Sequence, residues 1–153
     1  MARNAFLLVF GFLCAVTFHS ASAKSVNFTN CGSQGAEILS LDITPCDENP
    51  CNVKIGSTVV GTLKFTTKEY LTSARVKAYV VIDGLDIPLP IPVDACQGYG
   101  LRCPINKGQT AQFVIKQEIQ RGFPIIKLAI KGELIDPEQK VVFCFQVPIV
   151  ISN

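Results

Sequence analysis

Residues 85–92 alternate apolar side chains with prolines, and this alternation restricts the possible fold more than any other segment of the chain. The segment is Leu85-Asp86-Ile87-Pro88-Leu89-Pro90-Ile91-Pro92. A period of two predicts an extended strand with one apolar face. Because proline has no N–H group to donate, such a strand belongs at the edge of a sheet or stands away from it. We therefore predict an apolar strand at a sheet edge.

A pair of cysteines directly follows this segment. Cys96 and Cys103 enclose six residues that include Gly98 and Gly100. This spacing fits a disulfide-closed loop better than a metal-binding pair of cysteines. A stiff apolar edge held by such a bridge is typical of the rim of a pocket.

The first residues have the pattern of a secretory signal peptide. Arg3 precedes an apolar run over residues 5–16, and Ala21-Ser22-Ala23 supplies the small residues of a cleavage site. The run is shorter than the roughly 20 residues that a membrane-spanning helix needs. We therefore predict a leader over residues 1–23 and one exported domain over residues 24–153, which is secreted or delivered to the lysosomal lumen.

The cysteines of the exported domain indicate a disulfide framework. Removal of residues 1–23 leaves six of the seven cysteines and no histidine. An even number of cysteines is typical of an exported domain that is held together by disulfides. Short spacing favours the bridges Cys46–Cys51 and Cys96–Cys103, which leaves Cys31 to pair with Cys144. Six cysteines permit other pairings, and the sequence alone does not choose among them.

Catalysis and nucleic-acid binding have little support in this sequence. Without histidine, and with every cysteine oxidised, the exported domain lacks the usual activated nucleophiles and the common zinc ligands. The formal net charge is only +2, and the lysines are scattered, so no basic stripe is available for a phosphate backbone. We predict no enzyme activity, catalytic residue, metal, cofactor or nucleic-acid partner.

The rest of the chain has the pattern of short strands separated by turns. Apolar and polar residues alternate over residues 39–43, 59–65, 74–82, 111–119 and 126–130, and residues 141–151 form a last strand dense in apolar residues. Turn signals such as Asp83-Gly84 separate them. Seven or eight such strands, with no convincing helix, predict an all-β fold of the antiparallel sandwich type. Inward-facing phenylalanines suit either a packed core or an apolar cavity between the sheets, and periodicity does not separate these alternatives.

Asn27-Phe28-Thr29 is a sequon for N-glycosylation near the start of the exported domain. The alternative is an unmodified terminal arm. We predict a glycan on Asn27.

Several short motifs occur in the order and spacing of one protein family. They are Asn30-Cys31-Gly32-Ser33, Pro45-Cys46 with Pro50-Cys51, Pro88-Leu89-Pro90-Ile91-Pro92, Cys103-Pro104-Ile105, Phe123-Pro124 with Ile126-Lys127-Leu128, and Phe143-Cys144-Phe145 with Val147-Pro148. With these motifs, the whole chain after the leader resembles the Niemann-Pick type C2 family of MD-2-related lipid-recognition domains. The resemblance implies an immunoglobulin-like sandwich, a lipid cavity between its sheets, and the three disulfides that the spacing favours.

The resemblance also implies a ligand site at the mouth of the cavity. Family positions that contact sterol there match Leu89, Ile119 and Phe123, and the inward-facing Phe65 and Phe113 complete the predicted ligand-binding set. Leu89 stands where the family usually has phenylalanine. Asp83 interrupts a stretch that is apolar in members that transfer sterol.

We therefore predict a secreted carrier for a hydrophobic small molecule. A sterol is one candidate ligand, and a fatty acid or semiochemical, as in arthropod members of the family, is the other. The acceptor of the ligand is a membrane or a receptor. Two alternatives stay open: an interaction module that presents lipid to a receptor, and a module that assists a lipid hydrolase.

Overall fold

A computed structural model describes residues 23–153, and every regular element in this range is a β-strand. In chain order the strands are β1 (Lys24–Ser25), β2 (Thr29–Asn30), β3 (Ala36–Thr44), β4 (Cys51–Lys54), β5 (Thr58–Thr67), β6 (Arg75–Ile82), β7 (Leu85–Pro88), β8 (Thr110–Glu118), β9 (Lys127–Ile135) and β10 (Val141–Ser152). No helix capable of crossing a membrane is present in the described range. The predicted leader lies outside the described residues except for Ala23.

The strands form two sheets that pack face to face. One sheet has the order β1-β3-β5-β8, and the other has the order β2-β10-β9-β6-β7, with β4 beside β10. Within the described range, all strand pairs are antiparallel except β4 and β10. Eight of the strands have at least four residues, and the other two, β1 and β2, have two residues each. The predicted all-β, immunoglobulin-like sandwich is confirmed.

Strand β6 illustrates how the sequence alternation produces this packing. Val76, Ala78 and Val80 are buried, whereas Arg75 and Lys77, which alternate with them, are exposed. Successive side chains of a strand point to opposite faces, so this alternation assigns one face of β6 to the interior.

The turn after β6 places the proline-rich segment beside it. Asp83 and Gly84 have φ angles of 50° and 80°, and Ile82 pairs with Leu85 directly across the turn. Two residues with positive φ form the tight hairpin connection that Asp-Gly favours. The segment consequently runs along the outer edge of the sheet, as its prolines predicted.

The disulfides follow the pairing that the spacing favoured. Cys46–Cys51 and Cys96–Cys103 span five and seven residues, and Cys31–Cys144 spans 113 residues. The long bridge fastens the segment after β2 to β10, at opposite ends of the exported domain's sequence.

Aromatic side chains fill one end of the space between the sheets. The Phe143 ring centroid lies 5.1 Å from that of Phe65 and 5.8 Å from that of Phe113, both in edge-to-face geometry. Tyr99 stacks on Phe113 at 5.0 Å. We call these four residues the aromatic cluster. All four are buried, so this end of the sandwich is a packed core.

Candidate binding site

An apolar cavity occupies the other end of the sandwich and has two adjoining lobes. The inner lobe has a volume of about 110 Å³ and lies between the two sheets. Its lining residues are Leu41, Ile43, Val53, Val59, Gly61, Leu63, Ala78, Leu89, Ile91, Ile115, Gln117, Ile119, Ile130, Phe145, Val147 and Ile149. These residues come from both sheets, so the sheets are separated by open space here instead of by packed side chains.

The outer lobe adjoins the inner one, and its lining includes the exposed Pro90, Gln117 and Gln120. Its volume is about 230 Å³, and together the lobes reach the lower end of the about 300–1,000 Å³ that small-molecule sites occupy. Its lining residues are Val80, Leu89, Pro90, Ile91, Gln117, Ile119, Gln120, Phe123, Leu128, Ile130, Ile149 and Ile151. Half of them also line the inner lobe, so the lobes form one site.

The chemistry of the lining is almost entirely apolar. Within the described part of the chain, no charged side chain lines either lobe, and the polar side chains there are those of Gln117 and Gln120. Such a surface favours an apolar ligand, because apolar area leaves water when the ligand binds. The two amides provide donors and acceptors for one polar group.

One rim of the mouth is the proline-rich segment. The segment is bonded to β6 at two points. The Leu89 N–H donates to the Ala78 carbonyl at 2.9 Å, and further along the chain the Val93 carbonyl accepts from the Val76 N–H at 2.8 Å. Between these attachments the chain arches away from the sheet edge, with Leu89 and Ile91 lining the cavity. The predicted apolar rim is present.

Tyr99 supports this arch from the aromatic cluster. Its hydroxyl donates to the Pro92 carbonyl at 2.6 Å. Burial raises the pKa of Tyr99 above its usual value of 10.0, so the hydroxyl stays protonated as a donor. Tyr99 lies in the loop that the Cys96–Cys103 disulfide closes. This loop therefore holds the outer end of the arch.

The opposite rim is the end of β8 and the loop that follows it. The Ile119 N–H donates to the Ser57 carbonyl at 2.9 Å, and the Phe123 N–H donates to the Gln120 carbonyl at 3.2 Å. The first bond holds the backbone of the buried Ile119 in place. The second closes a turn that carries the partly buried Phe123. Both side chains consequently face the proline arch across the mouth.

An ion-pair network on the outer face fixes the edge strand. Lys131 Nζ lies 2.7 Å from Asp86 Oδ2 and 3.2 Å from Glu133 Oε1, and 5.2 Å from the Tyr79 ring centroid. The hydrogen bond to Asp86 raises the pKa of Lys131 above its usual 10.5, whereas burial is the main cause that raises the pKa of Tyr79. The network thus links β9 to β7 across β6.

The structure brings three of the five predicted ligand-binding residues together. Leu89 and Ile119 line both lobes, and Phe123 lines the outer lobe. Phe65 and Phe113 lie in the aromatic cluster and do not line the cavity. Ligand contact by each of these residues stays a prediction.

Sequence reasoning missed the lining that β9 and β10 contribute. Phe145, Val147 and Ile149 alternate along β10 and face the inner lobe. Their period of two is visible in the sequence, but nothing in it separates them from Phe143, which lies in the packed core. Gln117 was detectable as an amide on the otherwise apolar side of β8.

Two further features are the predicted glycosylation site and the side chains that could bind a metal ion. Asn27 is exposed between β1 and β2, and its glycosylation stays a prediction. No group of three histidine, cysteine, aspartate or glutamate side chains within residues 23–153 is arranged to hold a metal ion.

The fold and the site define a two-sheet β-sandwich with an apolar cavity that opens at one sheet edge. A family model described as the ML domain matches residues 25–151, so the chain belongs to the ML-domain family. It is similar to "NPC intracellular cholesterol transporter 2" of Bos taurus, with 32% identity over 146 residues that cover 95% of this chain and 97% of the relative. The resemblance to the Niemann-Pick type C2 proteins is therefore confirmed.

Two solved structures have the same fold. A Niemann-Pick type C2 protein from the Japanese carpenter ant gives a TM-score of 0.78 at 23% identity, over 82% of this chain and 99% of that chain. Chicken MD-1 complexed with lipid IVa gives a TM-score of 0.53 at 13% identity, over 84% of this chain and 96% of that chain. At these identities the similarity is one of fold alone.

Proposed function

We propose that this protein is a carrier that holds a hydrophobic lipid between its two sheets and performs no chemistry on it. The observation that carries the proposal is the lining of the cavity, which is apolar apart from the amides of Gln117 and Gln120. Burial of apolar ligand surface contributes about 25 cal/mol per Å², so such a cavity binds lipid without any charged contact. The name of the bovine relative and the lipid in the MD-1 complex support this class of ligand.

The first candidate ligand is a sterol, and the name of the bovine relative supports it. The second is a fatty acid or a similar semiochemical, which the aliphatic rim formed by Leu89 and Ile119 supports. A flexible chain fits between aliphatic side chains more readily than a flat ring system does. In either case Gln117 and Gln120 are the partners for the hydroxyl or carboxyl group of the ligand.

We propose that the carrier is secreted and delivers its ligand to a membrane or a receptor. The apolar side chains of Leu85 and Ile87 are 70% and 48% exposed on the strand that leads to the rim. Exposed apolar side chains beside a cavity mouth favour contact with such an acceptor. The same surface supports the alternative function, in which bound lipid controls contact with a receptor.

Native mass spectrometry of protein purified without detergent tests the carrier function. The expected result is a stoichiometric adduct whose mass identifies the lipid. Delipidated protein should then bind added cholesterol or palmitate at one molecule per chain. Repeatedly empty preparations that also fail to bind both additions would contradict the proposal.

A further inference from the structure

On β10, one aromatic ring stands between the inner lobe and the aromatic cluster; on β5 that position belongs to Leu63, which lines the lobe and pairs with Phe113. Phe145 lines the inner lobe, whereas Phe143, two residues earlier on the same face of β10, belongs to the cluster. Their ring centroids are 6.3 Å apart. The Phe145 ring therefore forms the inner end of the cavity.

A glycine on the neighbouring strand makes this ring position possible. Gly132 of β9 pairs directly with Phe145 of β10. A Cβ atom added to Gly132 would lie 2.6 Å from Cε1 and from Cζ of the Phe145 ring, and real Cβ atoms essentially never approach other atoms within 3.0 Å. The ring thus occupies the space in which a side chain at position 132 would lie.

Small residues continue across the same row of the sheet. Gly132 pairs on its other side with Ala78 of β6, and Ala78 lines the inner lobe. The Phe145 ring lies over Gly132, whereas the space over Ala78 belongs to the cavity.

A displaced Phe145 ring has space on one side only. Phe143 is completely buried, and its neighbours Phe65 and Phe113 are 0% and 2% exposed, so close packing prevents movement toward the cluster. The cavity lies on the other side. A side chain larger than hydrogen at position 132 would consequently push the ring into the inner lobe.

We propose that Gly132 and Phe145 set the depth of the cavity and hence the longest ligand that it accepts. This inference rests on the proposed lipid-carrier function. Gly132→Ala should give a shallower cavity, and Phe145→Leu should give a deeper one. Since one CH₂ group contributes about 0.8 kcal/mol, each methylene that is excluded or admitted should change affinity roughly fourfold.

The experiment measures affinity against ligand length on delipidated protein. Two probe series are used: saturated fatty acids of increasing chain length, and a sterol with and without its alkyl side chain. In whichever series the wild type binds, Gly132→Ala should lose affinity for the longer members while retaining it for the shorter ones. Phe145→Leu should shift the preference toward longer members, and the double variant should return toward the wild type.

Phe28→Leu is the matched control, because it makes the same change at a partly buried ring that packs against the core but lines neither lobe. It should lower the melting temperature without altering the length preference. If Gly132→Ala does not fold, Phe145→Leu still tests the proposal through the opposite shift. Binding by the wild type with an unchanged length preference in the folded variants would overturn the inference. Failure of the wild type to bind either series would instead overturn the carrier function itself.

Discussion

Lys131 Nζ and Asp86 Oδ2 are 2.7 Å apart, and this ion pair joins two strands, β9 and β7, that are not neighbours in their sheet. The pair spans β6 on the outer face, behind the strand edge that continues into Leu89. This side-chain contact therefore helps to hold the rim of the cavity against the sheet, together with the backbone bonds of Leu89 to Ala78 and of Val76 to Val93. The Tyr99 hydroxyl bond to Pro92 holds the outer end of the rim.

Lys131→Met should loosen the edge strand while changing overall stability only slightly. The two side chains are 21% and 40% exposed, and ion pairs in such surroundings contribute about 0.2–1 kcal/mol. Hydrogen exchange is the sensitive measurement, since local opening of β7 exposes the Leu89 N–H. We expect faster exchange over residues 85–89.

Lys140→Met is the matched control for this prediction. It removes a separate ion pair, in which Lys140 Nζ lies 2.8 Å from Glu69 Oε2. This pair is away from the cavity lining. Exchange over residues 85–89 should be unchanged in this variant. Equal acceleration in both variants would show that the Lys131 pair has no particular role at the rim.

The pH dependence of the Lys131 contribution follows from the raised pKa. Since the folded-state pKa lies above the usual 10.5, the contribution is fully present below that value and disappears as the pH rises through the folded-state pKa. The stability difference between wild type and Lys131→Met should be constant from neutral pH to about pH 9 and vanish in stronger alkali. Denaturant titrations across this range measure it, and a difference that grows with pH would contradict the assignment.

Phe123→Ala should weaken lipid binding without unfolding the protein. Its side chain lines the outer lobe in a loop, so its removal takes away about 1–3 kcal/mol of apolar burial, or roughly five- to 150-fold in affinity. Phe65→Ala is the comparison, because that ring is fully buried in the aromatic cluster and its loss should cost about 3–5 kcal/mol of stability. Ligand titrations and thermal melts of both variants separate the two effects. An unchanged affinity with a large fall in melting temperature for Phe123→Ala would show that Phe123 is a core residue.

Loss of the long disulfide should destabilise the protein more than loss of either short one. Cys31–Cys144 spans 113 residues, and loop entropy then gives about 5 kcal/mol against roughly 2 kcal/mol for a short loop. Paired alanine replacements of each bridge, compared by chemical denaturation, measure the order. A thiol assay on unfolded, unreduced exported protein should find no free cysteine, and either the reverse order or free thiols would contradict the framework.

Asn27 should carry a glycan when the protein is made in a eukaryotic secretory pathway. It belongs to the only Asn-x-Ser/Thr sequon in the sequence and is exposed. Enzymatic deglycosylation should lower the mass of the wild type and leave that of Asn27→Gln unchanged. A wild-type mass equal to that of the unmodified chain would contradict this prediction.

The edge strand, its hairpin turn and the two short disulfides were predictable because each depends on residues close in sequence. Cys31–Cys144 spans 113 residues, and its pairing followed only from the remaining cysteines and the family resemblance. The division between packed core and cavity was not predictable. Phe65 alternates with the polar Lys64 and Thr66, whereas Phe143 and Phe145 stand in an apolar run in which Val142 and Cys144 are buried as well. The sequence therefore places all three rings inside. Which of them lines the cavity depends on strand register, and Gly132 acquires its role only through its pairing with Phe145. The motif resemblance supplied the cavity, as well as Leu89, Ile119 and Phe123.

Photolabelling of delipidated protein with a photoreactive sterol and a photoreactive fatty acid tests most directly whether lipid occupies the space between the sheets. The labelled residues are identified by mass spectrometry after digestion. We predict labelling of inner-lobe residues such as Leu89, Ile119 and Phe145, and suppression of that labelling by excess unlabelled ligand. Labelling confined to exposed residues such as Leu85 and Ile125, with no competition by the unlabelled ligand, would contradict the carrier function.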